Sequence, residues 1–202
     1  MNKTFVLASN NEHKLREFQE IFATLGLEVI SLQQAGVDVD PEEDGITFAE
    51  NAMIKARAVY KLCKLPTVSD DSGLCVDILN GEPGVYSARY GDQPNDAARR
   101  AYLFRKLENV SKENRSAHFT SAIACILNDE ISFTVEGYCH GYIAEKEAGD
   151  GGFGYDCMFC PIEYNGKTFS EIMPEEKNAI SHRGRALQEF VLKIRKIQGE
   201  DR

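Results

Sequence analysis

The sequence predicts an α/β fold, and three observations carry the prediction. Strand-like apolar runs alternate with helical periodicity up to residue 69, two long β-rich segments follow between residues 117 and 143, and an amphipathic helix closes the chain. Thr4-Phe-Val-Leu-Ala8 is a short β-rich run; Ser9-Asn10-Asn11 supplies a turn and cap, and Leu15, Phe18, Phe22 and Leu25 recur at helical spacing. Gly26 stops that helix, Leu27 to Leu32 forms a second strand, and the acidic stretch from Asp38 to Asp44, with Pro41, reads as an exposed loop. Thr47-Phe-Ala-Glu50 spells a capping box, and a helix from there buries Phe48, Ala52, Ala56, Val59 and Cys63, with Asn51 and Lys55 on a different face. Leu65-Pro-Thr-Val-Ser69 re-enters the sheet, and Asp70-Asp71-Ser72-Gly73 marks its carboxyl end with a tight turn, where open α/β sheets hold ligands. Asp96 to Leu107 is helical. Ala117 to Leu127 and Ile131 to Ile143 form a hairpin around Asn128-Asp129-Glu130, with strands too long for a plain βαβ repeat. His182 to Ile197 packs through Leu187, Phe190, Val191, Ile194 and Ile197.

At 202 residues and 43% hydrophobic, the chain can bury a real core, and a single domain over residues 1–202 is expected. No apolar run reaches the roughly 18 residues of a membrane span, so no membrane partner is expected. Met1-Asn-Lys-Thr4 leads straight into a strand rather than a signal peptide, which predicts a cytoplasmic protein. Lys plus Arg number 23 against 32 Asp plus Glu, and the net charge of −9 works against a sequence-independent grip on nucleic acid. A small polyanion stays open, provided that local Lys, Arg, backbone N–H groups and a divalent cation offset the charge. Six cysteines, at 63, 75, 125, 139, 157 and 160, follow no disulfide framework and read mostly as small core residues. Cys157 and Cys160 form a C-x-x-C, but no second pair or His tandem completes a zinc site.

Four segments carry candidate chemistry. Ser9, Asn10, Asn11, Glu12, His13 and Lys14 lie between the first strand and first helix, where free N–H groups and an ammonium can converge on phosphate oxygens; the bland alternative is an Asn cap with a solvated Lys. Glu42, Glu43, Glu50, Asp70 and Asp71 are candidates for a hard cation, and the adjacent pair Asp70-Asp71 needs a cation or donors to relieve its repulsion. Gly149-Asp-Gly-Gly-Phe-Gly154 spells G-x-G-x-x-G without the strand before it and helix after it that a dinucleotide site requires. A glycine-rich loop presenting Phe153 and Tyr155 to a flat base is the more physical use. Lys177, His182 and Arg183 gather donors suited to a phosphate or a keto oxygen, against the alternative of a helix start with solvated charges.

Six blocks in order resemble the non-standard purine NTP pyrophosphatase family, also called inosine triphosphate pyrophosphatases. They are Ser9-Asn-Asn-Glu-His-Lys14, Thr47-Phe-Ala-Glu-Asn-Ala-Met-Ile-Lys-Ala56, Ser69-Asp-Asp-Ser-Gly-Leu-Cys-Val-Asp77, Gly84-Val-Tyr-Ser-Ala-Arg-Tyr90, Gly151-Gly-Phe-Gly-Tyr-Asp156 and Glu176-Lys-Asn-Ala-Ile-Ser-His-Arg-Gly184. The resemblance implies an elongated, curved mixed sheet flanked by helices, two lobes with a central nucleotide cleft, and a homodimer. It implies hydrolysis of triphosphates such as those of inosine and xanthosine to the monophosphate and pyrophosphate, with Mg²⁺ as cofactor. Residues 9–14 and Lys55 would contact the triphosphate, and Asp71 would be the catalytic acceptor and a metal ligand. Glu42 or Glu43 would help hold the metal and Ser72 would touch the substrate. Phe153, Gly154, Tyr155, Asp156, Lys177, His182 and Arg183 would frame the base and sugar. Ser9 stands where many members carry Thr, and keeps the hydroxyl.

Overall fold

In a computed structural model that describes residues 3–199, the chain is a mixed α/β protein. Its elements run β1 (Thr4–Leu7), α1 (Glu12–Thr24), β2 (Glu28–Ile30), α2 (Phe48–Cys63), β3 (Thr67–Val76), α3 (Asp96–Lys106), β4 (Ser116–Ile126), β5 (Ser132–Ile143), β6 (Phe159–Pro161), α4 (Pro174–Ile180) and α5 (His182–Gln198). The six strands are ordered β2-β1-β3-β4-β5-β6. β1 pairs in parallel with β2 and β3, while β5 and β6 are antiparallel, so the sheet is mixed. Among the described residues, no helix is long and apolar enough to cross a membrane.

The chain divides into two compact units, Met1–Asp71 with Ser121–Glu136 and Ala186–Arg202, and Ser72–Thr120 with Gly137–Arg185. The first is built around Phe5 and Leu7 of β1, Phe18 and Phe22 of α1, Ile123 and Cys125 of β4, and Leu187, Phe190 and Ile194 of α5. Phe22 stacks on Phe190 at 5.0 Å and meets Phe5 edge-on at 5.2 Å. α2 begins at the expected capping box: Thr47 Oγ1 accepts from the Glu50 N–H while the Glu50 carboxylate accepts from the N–H groups of Ile46 and Thr47. Ala52 and Ala56 then pack on Ala122 and Ala124 of β4, small residues that let the helix backbone come close to the sheet.

The second unit is centred on Leu74, Val76, Leu103, Phe119, Ile143, Met158, Phe159 and Phe169. Its buried Arg115 donates to the carbonyls of Val110, Ala144 and Leu107, so a charge inside the core has its donors satisfied by backbone.

One sequence expectation is corrected here. Asp70-Asp71-Ser72-Gly73 is not a turn at a strand end; β3 continues through it to Val76. The local composition favours a turn, but β3 lies between β1 and β4, and Asp70 finds compensating donors from both directions along the chain.

Candidate functional site

Two clusters hold the predicted site residues, one in each unit. In the first, Lys55 lies two turns along α2 and its ammonium bridges two carboxylates, Glu43 Oε2 at 3.1 Å and Asp71 Oδ1 at 2.9 Å. Burial alone would lower the Lys55 pKa, but Asp71 and Glu43 outweigh it and hold the ammonium above its ordinary value. Burial raises the Asp71 pKa, an effect that Lys55 offsets only in part and to which Glu43 adds. Asp71 Oδ2 is buried and has no hydrogen-bond partner among the described residues. An under-compensated carboxylate beside a second carboxylate is a donor set suited to a hard divalent cation, which favours one or two carboxylates and completes its shell with water or phosphate. Glu43 reaches this cluster; Glu42, its neighbour, is exposed.

The acidic loop is tied to α2. The Gly45 N–H donates to Asn51 Oδ1 at 2.8 Å, and Asn51 is fully buried. Beside this, Asp70 lies wholly inside the unit: Lys14 Nζ is 2.7 Å from its Oδ2, and Ser121 Oγ donates to its Oδ1 at 2.5 Å. Asp70 and Asp71, adjacent in sequence, therefore use different partners, Lys14 and Ser121 for one and Lys55 for the other.

The start of α1 is the Asn cap that the sequence reads there. Asn11 Oδ1 accepts from the N–H groups of His13 and Lys14 at 2.9 and 3.2 Å, and Ser9 Oγ accepts from the Asn11 N–H at 3.2 Å. The N–H groups at 13 and 14 are therefore engaged by the Asn11 cap. The ammonium of Lys14 is the group this segment brings to the carboxylate cluster.

In the second unit, Asp156 is a pivot. Its Oδ2 accepts from the Phe153 N–H at 2.8 Å and from Lys177 Nζ at 2.7 Å, and Lys177 lies over the rings of Phe153 and Phe169 at 5.2 and 5.5 Å. Gly152, at φ +77°, permits this: a Cβ there would meet Asp156 Oδ2 at 2.2 Å. Phe153 stays 38% exposed at the tip of the loop. Tyr155 does not join it. That ring is 7% exposed and its hydroxyl donates to the Ser87 carbonyl at 2.9 Å, so Tyr155 is a core residue, not a second stacking surface. Gly154 gives its carbonyl to Arg100 at 2.9 Å, which holds the loop from α3.

His182 and Arg183 are buried, which removes the alternative of solvated charges at a helix start. The His182 ring stacks on Phe119 at 4.7 Å with planes 13° apart, and Arg183 donates to Ser72 Oγ at 3.1 Å. Gly184 lets the start of α5 pass close to α4, since a Cβ there would collide with the Asn178 carbonyl. Sequence reasoning missed Ser121, Phe119 and the role of Asn51. The available signal for Ser121 was a hydroxyl inside an apolar strand run. All six cysteines are thiols, with Cys160 buried in β6; burial pushes the Cys157 thiol up to about 11, away from nucleophilic chemistry at neutral pH.

The Ham1 family model matches residues 5–193. A dITP/XTP pyrophosphatase from Geobacillus kaustophilus is 50% identical over 186 residues, 92% of this chain and 91% of the relative. One from Clostridium perfringens is 46% identical over 195 residues, 93% and 95% of the two chains. Among solved structures, the Staphylococcus aureus Ham1 protein superposes with a TM-score of 0.87 at 38% identity, over 98% of this chain and 100% of that one.

Proposed function

The chain belongs to the Ham1 family, and from that membership and its two residue clusters we propose that it hydrolyses non-standard purine nucleoside triphosphates, those of deoxyinosine, inosine and xanthosine, to the monophosphate and pyrophosphate. The observation that carries the reading is the Glu43–Lys55–Asp71 constellation with its unpartnered Asp71 oxygen. Glu43 and Asp71 would hold Mg²⁺, which supplies Lewis-acid neutralisation of phosphate charge when bound.

Asp71 is assigned as the acceptor that orients an attacking water and takes its proton. The water oxygen bonds to the α-phosphorus as the bond to the bridging α–β oxygen breaks, and pyrophosphate leaves with that oxygen. Lys14 and Lys55 neutralise the charge that develops on the leaving group, with residues 9–13 supplying the remaining polar contacts to the triphosphate. The base and sugar are assigned to the second cluster: Phe153 and Gly154 for stacking, Asp156 and Lys177 for the polar edge, and Ser72, His182 and Arg183 for donors. Donors aimed at a 6-keto oxygen would meet the amino group of adenine donor to donor, and a buried unpaired donor is costly enough to exclude ATP.

The same reading includes a homodimer in the cytoplasm. Light scattering on the purified chain should give twice 22.6 kDa, and a monomer would remove that part. The function is tested by a turnover screen of dITP, ITP, XTP, GTP and ATP with Mg²⁺ and with EDTA, reading pyrophosphate and orthophosphate separately. Pyrophosphate from dITP, ITP and XTP, and its loss in EDTA, are the expected results. Orthophosphate as the first product, or equal turnover of ATP, would overturn the proposal.

A further inference from the structure

Lys14 does not stand alone as a phosphate-binding cation. Its ammonium is 2.7 Å from Asp70 Oδ2 and donates to the Asp70 carbonyl at 3.2 Å, so a single residue orients it through two contacts. The Asp70 carboxylate has no exposed surface, and its other oxygen takes the hydroxyl of Ser121 at 2.5 Å, the short length of a charge-assisted O–H···O⁻ bond. Ser121 is itself fully buried on β4, the strand next to β3 in the sheet. A buried carboxylate rests where its donors hold it. With Ser121 on Oδ1 and Lys14 on Oδ2, the position of the carboxylate sets the position of the ammonium.

We propose that Ser121 and Asp70 are positioning residues for substrate phosphate: the Ser121 hydroxyl fixes Asp70, and Asp70 fixes the Lys14 ammonium in the direction from which it meets a phosphate oxygen. This rests on the assignment of Lys14 to the triphosphate. It gives Asp70 a role different from that of Asp71, its neighbour: an internal counter-ion to Lys14 rather than a metal ligand. Without the Ser121 hydroxyl, Asp70 Oδ1 loses its short donor in a place water does not reach, the carboxylate reorients, and the ammonium that it holds moves with it. The ammonium then offers less to an arriving phosphate.

A purely structural role for Ser121 predicts a loss indifferent to Lys14, whereas a positioning role predicts a loss that exists only while Lys14 is present. A double-mutant cycle separates the two. The full-length chain is titrated calorimetrically with inorganic tripolyphosphate in EDTA, as the parent, S121A, K14A and the S121A/K14A pair, with D70N and D70N/K14A as a second cycle and thermal melting to check the fold. S121A should weaken tripolyphosphate binding about tenfold in the parent and less than twofold in the K14A background, and D70N should repeat the pattern. The same factor in both backgrounds, or no loss from S121A and D70N while K14A does lose affinity, overturns the positioning role alone. Unchanged affinity in K14A overturns the phosphate assignment of Lys14, and the positioning role with it.

Discussion

The carboxylates at the centres of the two clusters differ in how completely they are matched. In the second unit Asp156 has an N–H and an ammonium on the same oxygen, and the Lys177 ammonium lies over two rings. In the first unit one ammonium serves two carboxylates, one Asp71 oxygen has no partner among the described residues, and the Asp71 pKa is held up by burial. A matched cluster keeps a shape and suits recognition. An under-matched cluster lowers its energy when a cation and a polyphosphate arrive, and suits chemistry.

That contrast breaks most directly at Asp71. Asp71→Asn keeps the side-chain shape and removes the acceptor and the anion, and steady-state assays should show kcat/KM for dITP falling by roughly 10²–10⁴-fold, the range of a general base. Near-normal turnover by the folded variant would place the chemistry elsewhere. Next come the lysines: Lys55→Ala and Lys14→Ala should each cost on the order of 10-fold or more in kcat/KM, as loss of charge-assisted contacts does, while Lys112→Ala, outside both clusters, leaves it unchanged. Equal effects across all three would remove the phosphate assignment.

The second cluster should respond in selectivity. His182→Ala and Arg183→Ala are expected to compress the kcat/KM ratio of inosine triphosphate over ATP by about tenfold, or about 1.4 kcal/mol of differential transition-state binding. Equal losses on both substrates would move these residues to phosphate binding or folding.

The smallest effect is on stability, and its sign follows from the raised Asp71 pKa. A proton bound more tightly in the folded chain favours folding below the ordinary carboxylate value of 3.8, and this contribution is lost as pH rises through the folded value. Asn does not titrate, so the Tm of Asp71→Asn minus that of the parent, in EDTA, should be more positive at pH 7 than at pH 4. For a chain of this size each kcal/mol corresponds to about 2–4 °C. A difference that shrinks with rising pH would show that Lys55 fully compensates Asp71.

What the sequence made legible was whatever local spacing encodes. The Thr47–Glu50 capping box fixes where α2 starts, and so puts Lys55 two turns on; the helical spacing through Phe18, Phe22 and Phe190 finds the core. What stayed hidden depends on partners distant in sequence. Asp70 looked like a turn residue because its compensation comes from Lys14 and Ser121, separated from it by 56 and 51 positions. Tyr155 looked like a base-stacking ring because nothing near it announces that its hydroxyl reaches Ser87, 68 positions away. The cap at Asn11 was legible, and with it the N–H groups at 13 and 14 that an N-cap engages.

The central assignment is that the first-unit cluster directs water to the α-phosphorus, and isotope transfer tests it most directly. Hydrolysis of dITP or XTP in ¹⁸O-labelled water, followed by mass spectrometry of both products, should place the label in the nucleoside monophosphate and leave pyrophosphate unlabelled. Label in the pyrophosphate would mean attack at the β-phosphorus, and would contradict the roles given to Asp71, Lys55 and Lys14 together.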